Sequence, residues 1–575
     1  MSVQDNSSSS EAKPPLPPGE DPWYIRSFAK TLIGFGLGGG AAAIFAPLAL
    51  WGIFHMDPSN VDQLRLHLLY VSGGIIAILT LLQTNWKNQV DRRKVDADIT
   101  KNKQDAAKNE RDHIRQVHAE RRSRYTTAVE QLAHNEPPIR LGGIYTLVGL
   151  VDEWLADNTL TPEEQQKEGQ VIINSLCSYI RSPFPLATKT NDLQSATVPA
   201  DYEGDFVTNQ ATLREEQDVR RAIFDEISKR SSIVTKIERG KVSVAPGVWK
   251  NFDFDFSRAQ IFYPLNNLTI EKANFSAVRF YGKTNFFNTI FVKDANFSKT
   301  SFDQNVNFTE ATFAQNVNFT EATFAQNVNF TEATFAQTAT FNKATFAQTA
   351  TFNKATFAQT ATFNKASFAQ TATFSKAIFD QTTTFWRATF VKDVTFWKAT
   401  FNQEAKFLGT TFTKDATYWL TVFAQDAIFT NATFKQKANF WNATFKQKAH
   451  FVEATFKQKA HFIGTTFTQN ADFSNAMFEE NSPDFVHLPK DSDKATRARF
   501  AALPKNQGIH RFTVREGSKP IDPGTATLTG KPFIIPVGTV LFNIRLWNGK
   551  KRKYVISEPA KPLDNNSGEE ENKSE

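Results

Sequence analysis

Residues 309–330 read TEATFAQNVNFTEATFAQNVNF, an eleven-residue unit written twice, with Phe313, Phe319, Phe324 and Phe330 six, five and six residues apart. The same alternation runs far beyond this stretch. One series steps by eleven from Phe275 to Phe473 and holds Phe at all nineteen positions except Tyr418. A second steps from Phe280 to Phe478, and all nineteen are Phe. No α-helix can use that spacing, because at about 100° per residue it scatters the rings around the axis instead of gathering them on one face. Short extended segments can. Two residues before each ring stands a small or β-branched residue, as in Ala339 before Phe341, Val317 before Phe319 and Thr410 before Phe412. In an extended segment the first and third residues share a side. The small residue and the Phe therefore point inward, Thr, Asn, Lys and Glu point out, and the residues between turn a corner. Periodicity of this kind predicts a solenoid whose coils bury one another's faces. Composition agrees: 54 Phe against three Met in 575 residues is one residue type used in one structural role.

Units such as ATFNK, ATFAQ, ANFWN and ATFKQ resemble the pentapeptide repeat family. The resemblance covers about residues 252–480 and implies a right-handed quadrilateral β-helix, four faces per coil, with a small residue and a central Phe or Leu inward at every fifth position. Here every second unit has one residue more, which predicts 22 residues per coil and a wider turn at alternate corners. About ten coils at ~4.8 Å each make a rod on the order of 50 Å long, and each buried Phe contributes roughly 1.5–3 kcal/mol. A solenoid's ends must be covered. The degenerate stretch 251–270, NFDFDFSRAQIFYPLNNLTI, is the expected first cap. Residues 481–560 are expected to close the other end with a small β-module built on an Asn548-Gly549 hairpin turn. The tail, 561–575, is expected to be disordered.

Residues 1–22 are Ser- and Pro-rich, which predicts disorder. Residues 23–86 read as a transmembrane helical hairpin. The first span, about 31–54, has no charged residue, and the second covers about 66–86. The first exceeds the roughly 20 apolar residues a bilayer requires and the 7–15 of a signal-peptide core. Arg26 and Lys30 precede it, Lys87, Arg92, Arg93 and Lys94 follow the second span, and the intervening loop holds only Arg65. That bias predicts a multi-pass membrane protein with both termini in the cytoplasm. Gly34, Gly36 and Gly39 match the dinucleotide fingerprint GxGxxG, but inside a membrane span the motif reads as close helix packing, Gly34 with Gly38 and Gly36 with Gly40. Residues 87–123 form a charged helical connector whose few apolar residues support only weak coiled-coil pairing. Residues 124–235 form an α-helical segment broken at Pro137-Pro138. The succession of hairpin, connector, helical segment and repeats resembles membrane-anchored pentapeptide-repeat proteins of bacteria. It implies the bacterial cell (inner) membrane and no particular activity.

The outward positions of the repeats lack paired carboxylates, a nucleophile with its base, and a metal-ligand set. His450 and His461 lie half a coil apart, His113 and His118 are five residues apart on a helix, and Cys177 sits in the apolar run VIINSLCSYI as a buried small residue. The chain is therefore read as non-enzymatic, with no cofactor and no metal. The alternative is a nucleic-acid- or gyrase-interacting pentapeptide-repeat protein. From 252 to 480 there are 21 Lys and Arg against 17 Asp and Glu, a net of +4, opposite in sign to an acidic DNA mimic. Lys435 and Lys437 should stack against Lys457 and Lys459, but Lys446 and Lys448 fall on the far side, which divides the basic cluster. The ladder Thr312, Thr334 and Thr356 would suit an ice or crystal surface only with a second Thr column, where Ala or Asn stands. The leading reading is a membrane-tethered scaffold or protein-interaction solenoid in the cytoplasm, its rod a docking surface or a spacer. Trp397, Trp419 and Trp441 step by 22 along one outward column. Exposed Trp is a typical interface anchor, here for a protein partner or a second copy, and the same column could instead serve only to stiffen the coil.

Overall fold

The computed structural model describes residues 23–55, 57–237, 240–489, 494–503, 508–548 and 553–563. Residues 1–22, most of the 561–575 tail and Gly549 of the expected hairpin turn lie outside the described residues. The chain forms two compact units, 1–119 and 120–575.

In the first unit, helices α1 (Trp23–Arg26) and α2 (Phe28–Phe54) are followed by α3 (Pro58–Leu132), which runs on into the second unit. His55, in the left-handed region at φ 46°, ends α2, and Pro58 opens α3. Both α2 and α3 hold a stretch long and apolar enough to cross a membrane, left almost wholly uncovered by protein. The second expected span and the connector therefore share one helix. Of the glycines, Gly39 makes the close approach: a Cβ there would lie 2.6 Å from Cβ of Ser72 on α3. Gly34, Gly36, Gly38 and Gly40 have nothing within 4 Å, so the expected small-residue pairs are not the contact.

The second unit begins with the last turns of α3, then α4 (Pro137–Leu155), α5 (Pro162–Arg181), the short α6 (Thr190–Leu193) and α7 (Phe206–Arg230). Proline sets the starts of α4 and α5, where a missing N–H costs nothing. At α5, Thr161 and Glu164 close a reciprocal capping box. Their apolar faces, including Leu147, Val151, Ile173 and Phe224, belong to one continuous core with the solenoid. Phe224 meets Phe256 at 4.7 Å, Phe184 stacks on Phe262 at 5.1 Å, and a Cβ on Gly169 would strike Phe252 at 2.6 Å. Arg220, 2% exposed, is held by the Glu216 carboxylate at 2.6 Å and by the Ile180 and Ser182 carbonyls at 2.9 and 3.0 Å. The helices are thus the lid of the solenoid's first end. The stretch 251–270 lies beneath them and already pairs with the next coil, Phe254 with Ala273 and Ile261 with Phe280.

Four sheets of 11, 11, 9 and 13 strands form the faces of the solenoid, parallel throughout except for the last pair of the 13-stranded one. In chain order within a coil, face 1 holds Ala295–Asn296, face 2 Ser301–Phe302, face 3 Val306–Asn307 and face 4 Thr312–Phe313. Each residue pairs with the residue 22 further on, as Ala295 with Val317, Phe302 with Phe324, Val306 with Val328 and Thr312 with Thr334. Both aromatic series are buried, and rings 22 apart stack almost parallel, Phe308 on Phe330 at 4.7 Å and 3°. Rings of opposite faces meet edge-on, Phe319 and Phe330 at 5.7 Å and 78°. Where Thr replaces Ala inward, its hydroxyl is satisfied by the coil below: Thr300, Thr410 and Thr465 donate to the carbonyls of Phe275, Phe385 and Phe440 at 2.7–2.8 Å. On faces 1 and 3 an outward Asn ladder adds further bonds, Asn296 Nδ2 donating to Asn274 Oδ1 at 3.1 Å.

The two corner types explain the five-and-six count. The five-residue step is a tight turn, closed for example by Val278 N–H donating to the Phe275 carbonyl at 3.2 Å, with Ala277 left-handed at φ 55°. That left-handed position recurs every eleven residues and holds Ala, Asn, Lys, Glu, Arg, Leu or Gly, never a β-branched residue. A branched Cβ is most heavily penalised there. The six-residue step carries one more residue between Phe and the next inward side chain, and makes the wider alternate corner.

The far end is closed by a counterfeit coil drawn from three separated segments. Phe485 stacks on Phe462 at 5.3 Å, Phe500 on Phe467 at 4.9 Å and Phe512 on Phe473 at 6.0 Å. Strands Arg499–Ala501, Val540–Asn548 and Lys553–Ile556 extend face 4, and Pro523–Leu528 pairs with Lys531–Pro536. Buried His510 locks the closure: its Nδ1 accepts from Ala471 N–H at 3.1 Å, so Nε2 donates to the Ala501 carbonyl at 3.0 Å.

Two expectations follow. The Tyr418 hydroxyl is buried among rings with no hydrogen-bond partner among the described residues. An unpaired buried hydroxyl costs about 1–3 kcal/mol, so Tyr418→Phe should stabilise neighbouring coils by about 1 kcal/mol and slow their hydrogen exchange; unchanged exchange would mean the hydroxyl has a partner. Burial pushes the His510 imidazole down to about 4, against about 6.5 in an unfolded chain. Between those values the unfolded chain binds a proton that the folded chain does not, so stability falls as pH drops through the window, by about 3 kcal/mol in all. Urea midpoints at pH 7 and 4.5 should differ for the parent, and much less for His510→Gln.

Candidate interaction surface

The outward columns inherit the 22-residue register, so each surface feature is a stripe along one corner or face. Lys435, Lys437, Lys457 and Lys459 lie at the wide corner between faces 2 and 3, flanking the strands Ala438–Asn439 and Ala460–His461. Trp397, Trp419 and Trp441 lie at the tight corner where face 3 passes into face 4. The structure thus sets the Lys and Trp columns on the two borders of face 3. The sequence holds a signal for this in KANFW, where Lys437 and Trp441 are separated by one strand. Lys446 and Lys448 fall at the opposite wide corner, between faces 4 and 1.

The three indoles do not form one continuous stack. Trp397 and Trp419 make a tilted pair at 6.3 Å and 37°, while Trp441 packs against His487 of the closing segment at 5.5 Å. Trp397 is half-buried and already carries Lys376 and Lys398 over its ring at 5.2 and 4.7 Å. Trp386, at the corner between faces 1 and 2, is flanked likewise by Lys365 and Arg387 at 5.1 and 5.0 Å. Trp419 differs from these: it is 44% exposed and sits beside half-buried Leu420. Of the lysines, Lys457 is engaged by Glu479 at 3.2 Å, and Asp484 stands 2.9 Å from His461. The adjacent His461 ring, with the charges of Lys459 and Lys437, holds the Asp484 carboxyl below its usual range.

A second surface feature lies where the expected helical segment, 124–235, ends early: α7 stops at Arg230 and the chain from Ile233 is extended. Ile233–Lys236 and Val242–Ala245 form an antiparallel hairpin that lies along face 4. A Cβ on its Gly240 would come within 2.8 Å of Thr356 and 3.2 Å of Ala358, and Lys236 Nζ donates to the Glu310 carbonyl at 3.0 Å. Lys236 is pushed below the usual lysine range by burial. The signal was two β-branched runs around a glycine, SIVTKIERGKVSVA. The hairpin buries Thr312 and Thr334, 0% and 8% exposed, whereas Thr323 and Thr345 on face 2 stay exposed. The Thr312–Thr334 ladder is therefore no open crystal-binding plane.

Among the described residues no group of three or more His, Cys, Asp or Glu is placed to hold a metal. His450 stands on face 1 and His461 on face 3. Cys177 is buried, its thiol pushed up to about 12 by desolvation.

A family model of pentapeptide repeats matches residues 297–345, 308–356, 341–389, 352–400 and 440–485, nine copies in all. The solenoid is a pentapeptide-repeat β-solenoid, a protein-interaction type of fold. Searches of curated proteins and of solved structures gave no match.

Proposed function

We propose that the chain is a membrane-tethered, non-enzymatic scaffold that docks a protein partner on face 3 of its pentapeptide-repeat solenoid. The observation carrying this reading is Trp419, a large indole 44% exposed on a rigid corner while the neighbouring tryptophans are covered by their own chain's cations or by the closing segment. A rigid aromatic anchor costs little entropy to bind and dominates interfaces when buried. The Lys column across face 3 adds charge that steers approach. Near-identical units such as AQNVNFTEATF and AQTATFNKATF support a supporting rod, since whole coils can be gained or lost without altering its geometry. Nucleic acid is the weaker partner, because the basic residues divide between opposite corners.

The test is a photocrosslinking amino acid placed at Trp419 or, as control, at exposed Thr345 of face 2, in native membranes. Crosslinks to a protein should form from position 419 and not from 345, and Trp419→Ala should weaken capture by about 30-fold, the effect of a hot spot of about 2 kcal/mol. Equal crosslinking from both positions, or none from 419, would remove the reading.

The tether is proposed as a two-span hairpin in the cell membrane with both termini cytoplasmic, on the Lys and Arg bias around α2 and α3. Buried Cys177 should stay silent, so a single added cysteine, Ser59→Cys in the first turn of α3 ahead of its apolar stretch, should react with a membrane-impermeant thiol reagent applied outside intact cells. Labelling only after lysis would reverse the orientation.

A further inference from the structure

The face 4 hairpin has a free edge, and that edge faces a groove. Its strands pair Lys236 with Val242, Thr235 with Ser243, Val234 with Val244 and Ile233 with Ala245. Ile237 N–H donates to the Lys241 carbonyl at 2.7 Å. Antiparallel pairs alternate between hydrogen-bonded and non-bonded, so Thr235 with Ser243 is a bonded pair, while Val242 and Val244 turn their N–H and C=O groups away from the first strand. The hairpin is a two-stranded sheet, with no third strand on that edge among the described residues. Val242 and Val244 line a groove of about 990 Å³ whose floor is the wide corner between faces 4 and 1. Residues 314, 336 and 358 of that floor are Ala, and Gln315, Gln337 and Gln359 stand beside them as a ladder of neutral amides. Beyond the hairpin tip, where Lys241 joins the lining, the groove continues past Ile378, 38% exposed, and Asp380 to Asn402.

We infer that this groove binds an extended peptide segment of another polypeptide, uncharged where it crosses Ala314 to Gln359, which adds as a third strand to the Val242–Ala245 edge. Main-chain donors and acceptors at alternate residues are complementary to a β-strand and to no other common ligand shape. The alanines let an incoming backbone approach the floor closely, and the Gln ladder offers amides at each coil to polar side chains. A floor neutral from Ala314 to Gln359 would desolvate a charged side chain without repayment. The span from Ala314 to Asn402 is four coil steps, about 19 Å at ~4.8 Å each, the length of about six extended residues. This site lies on a different face from Trp419 and does not depend on that docking surface.

The test is to pan the full chain, held in lipid nanodiscs, against a phage-displayed library of random hexapeptides without charged residues. Enriched peptides should lose about tenfold in affinity on Val244→Pro, the loss of one main-chain hydrogen bond. That substitution removes an outward N–H and leaves the hairpin's own bonds in place, which continued slow exchange of the Ile237 amide verifies. N-methylation of alternate peptide amides should abolish binding, and Trp419→Ala should leave it unchanged. No enrichment beyond that on the Val244→Pro chain, or affinities indifferent to Val244→Pro with the hairpin intact, would overturn the inference.

Discussion

The structure depends on the match between two repeat distances. Neighbouring parallel strands lie about 4.7–4.9 Å apart, and the rings stacked in the core lie 4.7–5.0 Å apart in pairs such as Phe308 with Phe330 and Phe324 with Phe346. A Phe at the same place in every coil therefore satisfies the hydrogen-bonding ladder and the aromatic stack at once. The match holds only while each coil spends 22 residues, as the pairing of Thr312 with Thr334 and Phe313 with Phe335 requires. A one-residue insertion inside a coil would turn the inward side chains outward over that segment. This is why the units can duplicate whole yet vary so little in length. The strained left-handed corner residue at every eleventh position is the local cost, offset by the burial it permits.

A column built this way has no natural end. At the N-terminal end helices α4, α5 and α7 present Val151, Ile173 and Phe224 to the first rings, and the buried Arg220–Glu216 pair is satisfied by carbonyls at the helix ends. At the other end the same problem has a different solution, with Phe485, Phe500 and Phe512 mimicking a coil though they come from three separated stretches. Each cap supplies what the exposed layer lacks: apolar cover over the rings and partners for the last strands.

Because the register is uniform, function on this surface must come from departures from it. The repeated Thr, Asn and Gln positions make equivalent stripes. Trp419, the paired lysines and the hairpin over face 4 break that equivalence, and each does so at a different corner or face. A rod of this kind offers separate surfaces at fixed spacing, which suits a scaffold that holds more than one chain.

The sequence by itself determined the solenoid, its 22-residue coil, the inward residues and the two apolar helical stretches, because each rests on a period that local geometry cannot evade. It also determined that Lys435 and Lys437 align with Lys457 and Lys459, since residues one coil apart must stack. What it could not supply were contacts between segments with no shared period. The helical segment's role as a lid, the separated phenylalanines of the closing coil and the hairpin over Thr312 and Thr334 all join residues far apart in the chain. The fate of the Trp column belongs with these. Periodicity aligned Trp397, Trp419 and Trp441, but only the tertiary structure decided that Trp441 would turn to His487, that lysines would cover Trp397 and that Trp419 would stay open. Packing against non-repeating neighbours sets exposure, and no spacing rule encodes it.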